Sequence, residues 1–131
     1  MKTLNLFLLF ALLSACNKTP EAPAISIAEY SKQVVVMNGV IDKILAEQDP
    51  KKMYQMADAV EATRVVACKP LLEECNLYYK IINKVVLFTK EGAITPDQRM
   101  ELFKMRNEFQ EEIRKGEAKI REIWRMKINK N

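Results

Sequence analysis

From Thr95 to its last residue the chain reads TPDQRMELFKMRNEFQEEIRKGEAKIREIWRMKINKN, a helix start followed by more than thirty residues without another proline after Pro96. Thr95 is a capping residue, Pro96 suits the first helical position, Asp97 lies near the positive end of the dipole, and Gln98 completes a capping box. Behind them Leu102, Met105, Phe109, Ile113, Ile120 and Trp124 recur at a helical period. An unbroken helix of this length is a rod of about 50 Å, longer than a domain of this size needs. Other elements must lie along it, and its far end is either covered or an interface.

Three glycines and five prolines in 131 residues permit long helices and do not encourage a turn-rich sheet. Ser26-Ile27-Ala28-Glu29 fits a capping box, and Ile27, Tyr30, Val34, Met37, Ile41 and Ile44 share one helix face behind it. A hairpin is the rival reading there, because Val34-Val35-Val36 precedes the turn signal Asn38-Gly39. Asp49-Pro50 opens a second helix, with Met53, Met56, Val60, Thr63 and Ala67 on its stripe. Methionine at helical spacing reads as core filling ahead of a pliable binding surface. A third helix starts near Pro70 and ends by Gly92, with Leu71, Cys75, Tyr78, Ile82 and Val85 inward. The fold class expected is all-α, a small antiparallel bundle of about four helices with a long C-terminal one.

The N-terminal stretch is read differently. Lys2 followed by the apolar run Leu4 to Leu13 has the layout of a secretory signal, and about half the 20 residues that a spanning helix needs. Leu13-Ser14-Ala15-Cys16 resembles the lipobox of bacterial lipoproteins. That resemblance implies a diacylglycerol on the Cys16 thiol, cleavage before Cys16 and acylation of the new amine. An uncleaved anchor or a plain signal peptide is the alternative. Asn17 in place of Asp after the cysteine implies the outer membrane, with the domain facing the periplasm. Residues 1–15 are then a signal peptide, 16–25 a lipidated end and flexible tether, and 26–131 the helical domain. Such a protein meets the membrane through the lipid on Cys16.

The stretch Ile94-Thr95-Pro96-Asp97-Gln98-Arg99 resembles the LTxxQ motif of the Spy and CpxP periplasmic chaperones, all-helical proteins that cradle unfolded clients or inhibit a sensor kinase. Those proteins carry the motif twice and begin it with leucine, whereas this chain has it once, with Ile94. A capping box accounts for the same residues.

Chemistry is sparse. There is no histidine, which removes Ser-His and Cys-His pairs and the commonest metal ligand and general base. Glu73-Glu74 and Glu111-Glu112 are adjacent on helices, so each pair diverges by about 100° and does not converge on one bond. Cys68 and Cys75 in CKPLLEEC are read first as a disulfide in an oxidising compartment. Along one straight helix they would lie about 10 Å apart, beyond the bridging limit of about 7 Å, so the bond requires a turn at Lys69-Pro70. Two reduced core cysteines are the alternative, and the spacing fits no zinc pattern. Without its signal the chain has 20 basic and 17 acidic residues, the excess lying after Pro96. Such an excess would suggest nucleic acid inside a cell, and export removes that partner.

The expectation is therefore a non-enzymatic lipoprotein, without cofactor or metal, that binds or escorts another envelope protein through its helical surface, as small helical pilotins do for secretins. A Spy-like chaperone or stress sensor is the second reading, and an exclusion, immunity or inhibitor protein of a mobile element the third. The candidate interface is the C-terminal end of the long helix, with Ile120, Ile123, Trp124 and Ile128 beside Arg121 and Arg125.

Overall fold

The computed structural model describes residues 25–63 and 71–130. Four helices account for nearly all of them: α1 (Ile27–Ala46), α2 (Pro50–Ala62), α3 (Leu72–Thr89) and α4 (Pro96–Asn129). No strand occurs among the described residues, and none of these helices is long and apolar enough to cross a membrane.

Most of the boundaries have a local cause, the start of α3 at Leu71 being without a side-chain cap. The Ser26 side chain accepts the Glu29 amide at 3.1 Å to open α1, while Glu29 turns its carboxylate to Gln33 and leaves the expected box half formed. The hairpin alternative does not occur: α1 runs through Val34 to Gly39 and continues to Ala46. Asp49 caps α2 through the Lys51 amide, with Pro50 in the first turn. That helix stops at Ala62, where the Thr63 hydroxyl donates back to the Ala59 and Val60 carbonyls. Of its expected stripe, Met53 is buried, Met56 and Val60 are half-buried, Thr63 is exposed, and Ala67 lies outside the described residues. Gly92, at φ 83°, takes the left-handed conformation that lets the chain leave α3, and its amide returns to the Thr89 carbonyl. The Thr95 and Gln98 capping box that opens α4 is complete.

α4 is the spine. At 34 residues it is about 51 Å long, against about 30 Å for α1 and 27 Å for α3. α1 lies antiparallel to it: Asp42 pairs with Arg106, the Leu45 carbonyl accepts from Arg99, and Tyr30 near the other end of α1 donates to the Ile113 carbonyl. α3 is also antiparallel to α4, with Lys84 paired to Glu101 and Tyr78 against Phe109 at 6.4 Å between ring centroids. α2 packs mainly on α3. The core between them is aliphatic and aromatic, with Ile41, Met53, Ile82, Val85, Leu102 and Phe109 fully inaccessible. All five residues expected on the inner face of α3 are buried.

The two ends of the bundle differ. At one end the α1–α2 and α3–α4 connections gather, with Arg99 reaching across from α4 to the Leu45 and Glu47 carbonyls. At the other, the chain enters at Ile25 beside the C-terminal part of α4, where Trp124 Nε1 donates to the Ile25 carbonyl at 3.1 Å.

Candidate functional site

Polar chemistry inside the domain is concentrated at one knot. The Tyr30 hydroxyl lies 2.9 Å from the Ile113 carbonyl and 3.0 Å from Glu74 Oε1, so its single proton is shared between α4 and α3. Burial, and then the charge and hydrogen bond of Glu74, push the Tyr30 phenol well above its ordinary range. A phenol held neutral in this way has no proton-accepting role at neutral pH. Gly116, one turn beyond Ile113, leaves the room for this contact, because a Cβ there would run into both Glu74 Oε1 and the Tyr30 hydroxyl. The knot joins three helices and is closed to any substrate.

The outer face of α3 has the opposite character. Asn76, Tyr79, Lys80, Asn83, Lys84 and Leu87 line an open groove of about 330 Å³. Leu87 at its edge is 57% exposed, and Leu72, one turn before Asn76, is 64% exposed. The Lys84 ammonium sits 5.2 Å from the Phe88 ring centroid and pairs with Glu101, so one wall of the groove is fixed in place. Asparagine in a helix interior is less favourable than alanine by roughly 0.6 kcal/mol, and exposed leucine gains nothing in water.

The residues singled out as sites in the sequence divide as follows. Cys16 and Cys68 lie outside the described residues. Cys75 is buried and disulfide-bonded, and its sulfur touches Met37 Sδ at 4.0 Å, a van der Waals contact because a disulfide sulfur carries no proton. Ile120 is buried in the core cluster and Ile123 is half-buried. Trp124 is 36% exposed, held by Ile25 on one side and overlaid by Lys127 Nζ at 5.5 Å from its ring centroid. Ile128 is 71% exposed. Arg121 pairs with Glu117 at 2.6 Å, and Arg125 is exposed. The candidate interface is thus split, its first residue belonging to the core and its last ones projecting beyond it.

The residues that resemble an LTxxQ motif are occupied by the fold. Thr95 and Gln98 cap each other's backbone, Ile94 packs against the core, and Arg99 secures the α1–α2 corner. Among the described residues no group of three or more Cys, Asp or Glu side chains is placed to hold a metal ion.

Fold and surface define a small all-α bundle with a closed core and an apolar-edged groove on its outside. No protein-family model matches the chain, and neither the characterised proteins nor the solved structures contain a significant match to it.

Proposed function

We propose that this protein is a non-catalytic, lipid-anchored envelope protein that binds another envelope protein through the outer face of α3. The groove on the outer face of α3 carries the reading: it is open, has two carboxamides in its lining and exposed Leu87 at its edge, and exposed Leu72 lies one turn before it. Its chemistry suits an amphipathic helix of the partner, whose apolar residues cover the two leucines and whose acidic flank meets Lys80. Each leucine so covered contributes about 1.5–3 kcal/mol toward association. The anchor in this reading is the lipid on Cys16, at the periplasmic face of the outer membrane. Cys68 is the partner of Cys75.

A photo-reactive residue at Asn83, in the native envelope, is the direct test. It should crosslink to one discrete protein, and Leu87→Glu should abolish the adduct while leaving thermal unfolding unchanged. A probe at Gln55, exposed on α2, is the comparison. Equal labelling from both positions, or none from Asn83, would remove α3 as the binding face.

A further inference from the structure

The hydrogen bond from Trp124 to the Ile25 carbonyl fixes where the N-terminal chain leaves the domain: beside the C-terminal end of α4. Nine peptide steps separate Ile25 from Cys16, a span of at most about 32 Å even when fully extended. A lipid on Cys16 therefore holds this end of the bundle next to the bilayer and turns the α1–α2 and α3–α4 connections away from it.

The end so placed has the composition of a membrane surface element. Residues 121–130 carry Arg121, Arg125, Lys127 and Lys130 against the single acid Glu122. Trp124, Met126 and Ile128 are exposed among them, at 36%, 54% and 71%. Arg121 is engaged by Glu117, whereas Arg125, Lys127 and Lys130 project beyond the last acid of the helix. Tryptophan seats at the headgroup level with its apolar ring inward and its polar edge outward. Exposed aliphatic side chains interleaved with lysine and arginine lie in the interface plane, and the long basic side chains reach the phosphates. α1 begins at Ile27 and reaches α4 no further than Trp124 through Ile25, so the last turn and a half of α4 has no partner within the described domain.

We infer that residues 124–130 form a second membrane contact, docking the domain on an anionic bilayer surface beside its own lipid anchor. The inference rests on the lipid-anchor reading, and it changes the consequence of that reading: the domain stands at the membrane in one orientation, with the α3 groove running away from the surface from Leu72 toward Leu87.

Trp124 is the only tryptophan, so its fluorescence reports this contact without labelling. The protein should be purified from envelopes, its mass read for lipid on Cys16, and then reconstituted into vesicles with or without phosphatidylglycerol, doped with lipids brominated high in the acyl chain. Trp124 emission should shift to the blue and be quenched in the anionic vesicles. Replacing Arg125, Lys127 and Lys130 together by glutamate should weaken the contact at least about tenfold, with helicity and thermal midpoint unchanged. Equal, unquenched emission in vesicles and in detergent from protein whose mass includes the lipid would overturn the membrane contact and leave the anchor intact. A mass without lipid would overturn the anchor, and with it this inference. Adducts from a photo-reactive group at Ile128 that go to one protein rather than to lipid would also overturn it, by assigning the tip to a protein partner.

Discussion

Gly116 is a glycine in the middle of a long helix, a position where alanine ordinarily stabilises by about 1 kcal/mol. The packing of Glu74 and Tyr30 against its Cα reverses that expectation. Gly116→Ala should destabilise by about 1–3 kcal/mol, since a methyl forced into a filled site displaces a buried hydrogen bond. Tyr30→Phe alone should cost a similar amount by leaving Glu74 Oε1 without its donor. The two together should cost less than their sum, by about 0.5 kcal/mol or more, because the phenylalanine removes one of the atoms that the methyl meets. Urea midpoints for the four proteins measure this, and strict additivity would show that the close approach is not what requires glycine. The same residues set an alkaline limit. Burial pushes the Tyr78 phenol up to about 12, and Tyr30 is raised further by burial and Glu74, whereas a phenol in the unfolded chain ionises near 10. Above about pH 10 the unfolded state gives up protons that the native state keeps, so stability that is complete below that pH falls as the pH rises toward 12. Thermal midpoints across this window should drop, and less steeply in Tyr30→Phe. A flat profile would contradict the assignment.

At the scale of elements, the sequence was most readable where local signals and long-range packing agree. Thr95-Pro96-Asp97-Gln98 opens α4 as its residues dictate, and of the stripe from Leu102 to Ile120 all but the half-buried Met105 are buried. The valines and the Asn-Gly pair of α1 were ambiguous because a turn signal and a helical period overlap there. Burial decided for helix: Val34 and Met37 face the core, while Val35, Val36 and the open side of Gly39 do not. α2 ends at Ala62, where Thr63, expected on the apolar stripe, instead satisfies the last carbonyls with its hydroxyl. The groove on α3 was not legible. Leu72 and Leu87 fall off the inner stripe, and only the positions of the other helices show that no described residue covers them. Cys75 takes part in a disulfide, while Cys68 lies outside the described residues. With Cys68 as its partner, peptide maps of the envelope protein made with and without reductant should join these two cysteines. Two free thiols would break that pairing, and a bond to Cys16 would break it together with the reading of Cys16 as a lipid acceptor.

For the molecule as a whole, the antiparallel setting of α1 and α3 against a much longer α4 gives the bundle two unlike ends. One is compact and corner-capped, held by Arg99 on the α1–α2 turn. The other consists of the incoming chain and a projecting basic, apolar tip. Length alone left the far end of α4 either covered or an interface, and its last residues are exposed. The sequence did not foretell that Ile120 is core, which makes the removable part of α4 begin later than the apolar stripe suggests. The bond between Trp124 and Ile25 also sets how the domain bears mechanical load. A pull applied to the chain before Ile25 enters there and, when directed along α1, draws that helix parallel to α4. The contacts at Tyr30, Asp42 and Leu45 then resist together in shear rather than opening one after another. Under the lipid anchor proposed above, a domain dragged by a bound partner away from the membrane would be loaded along its stiffest direction.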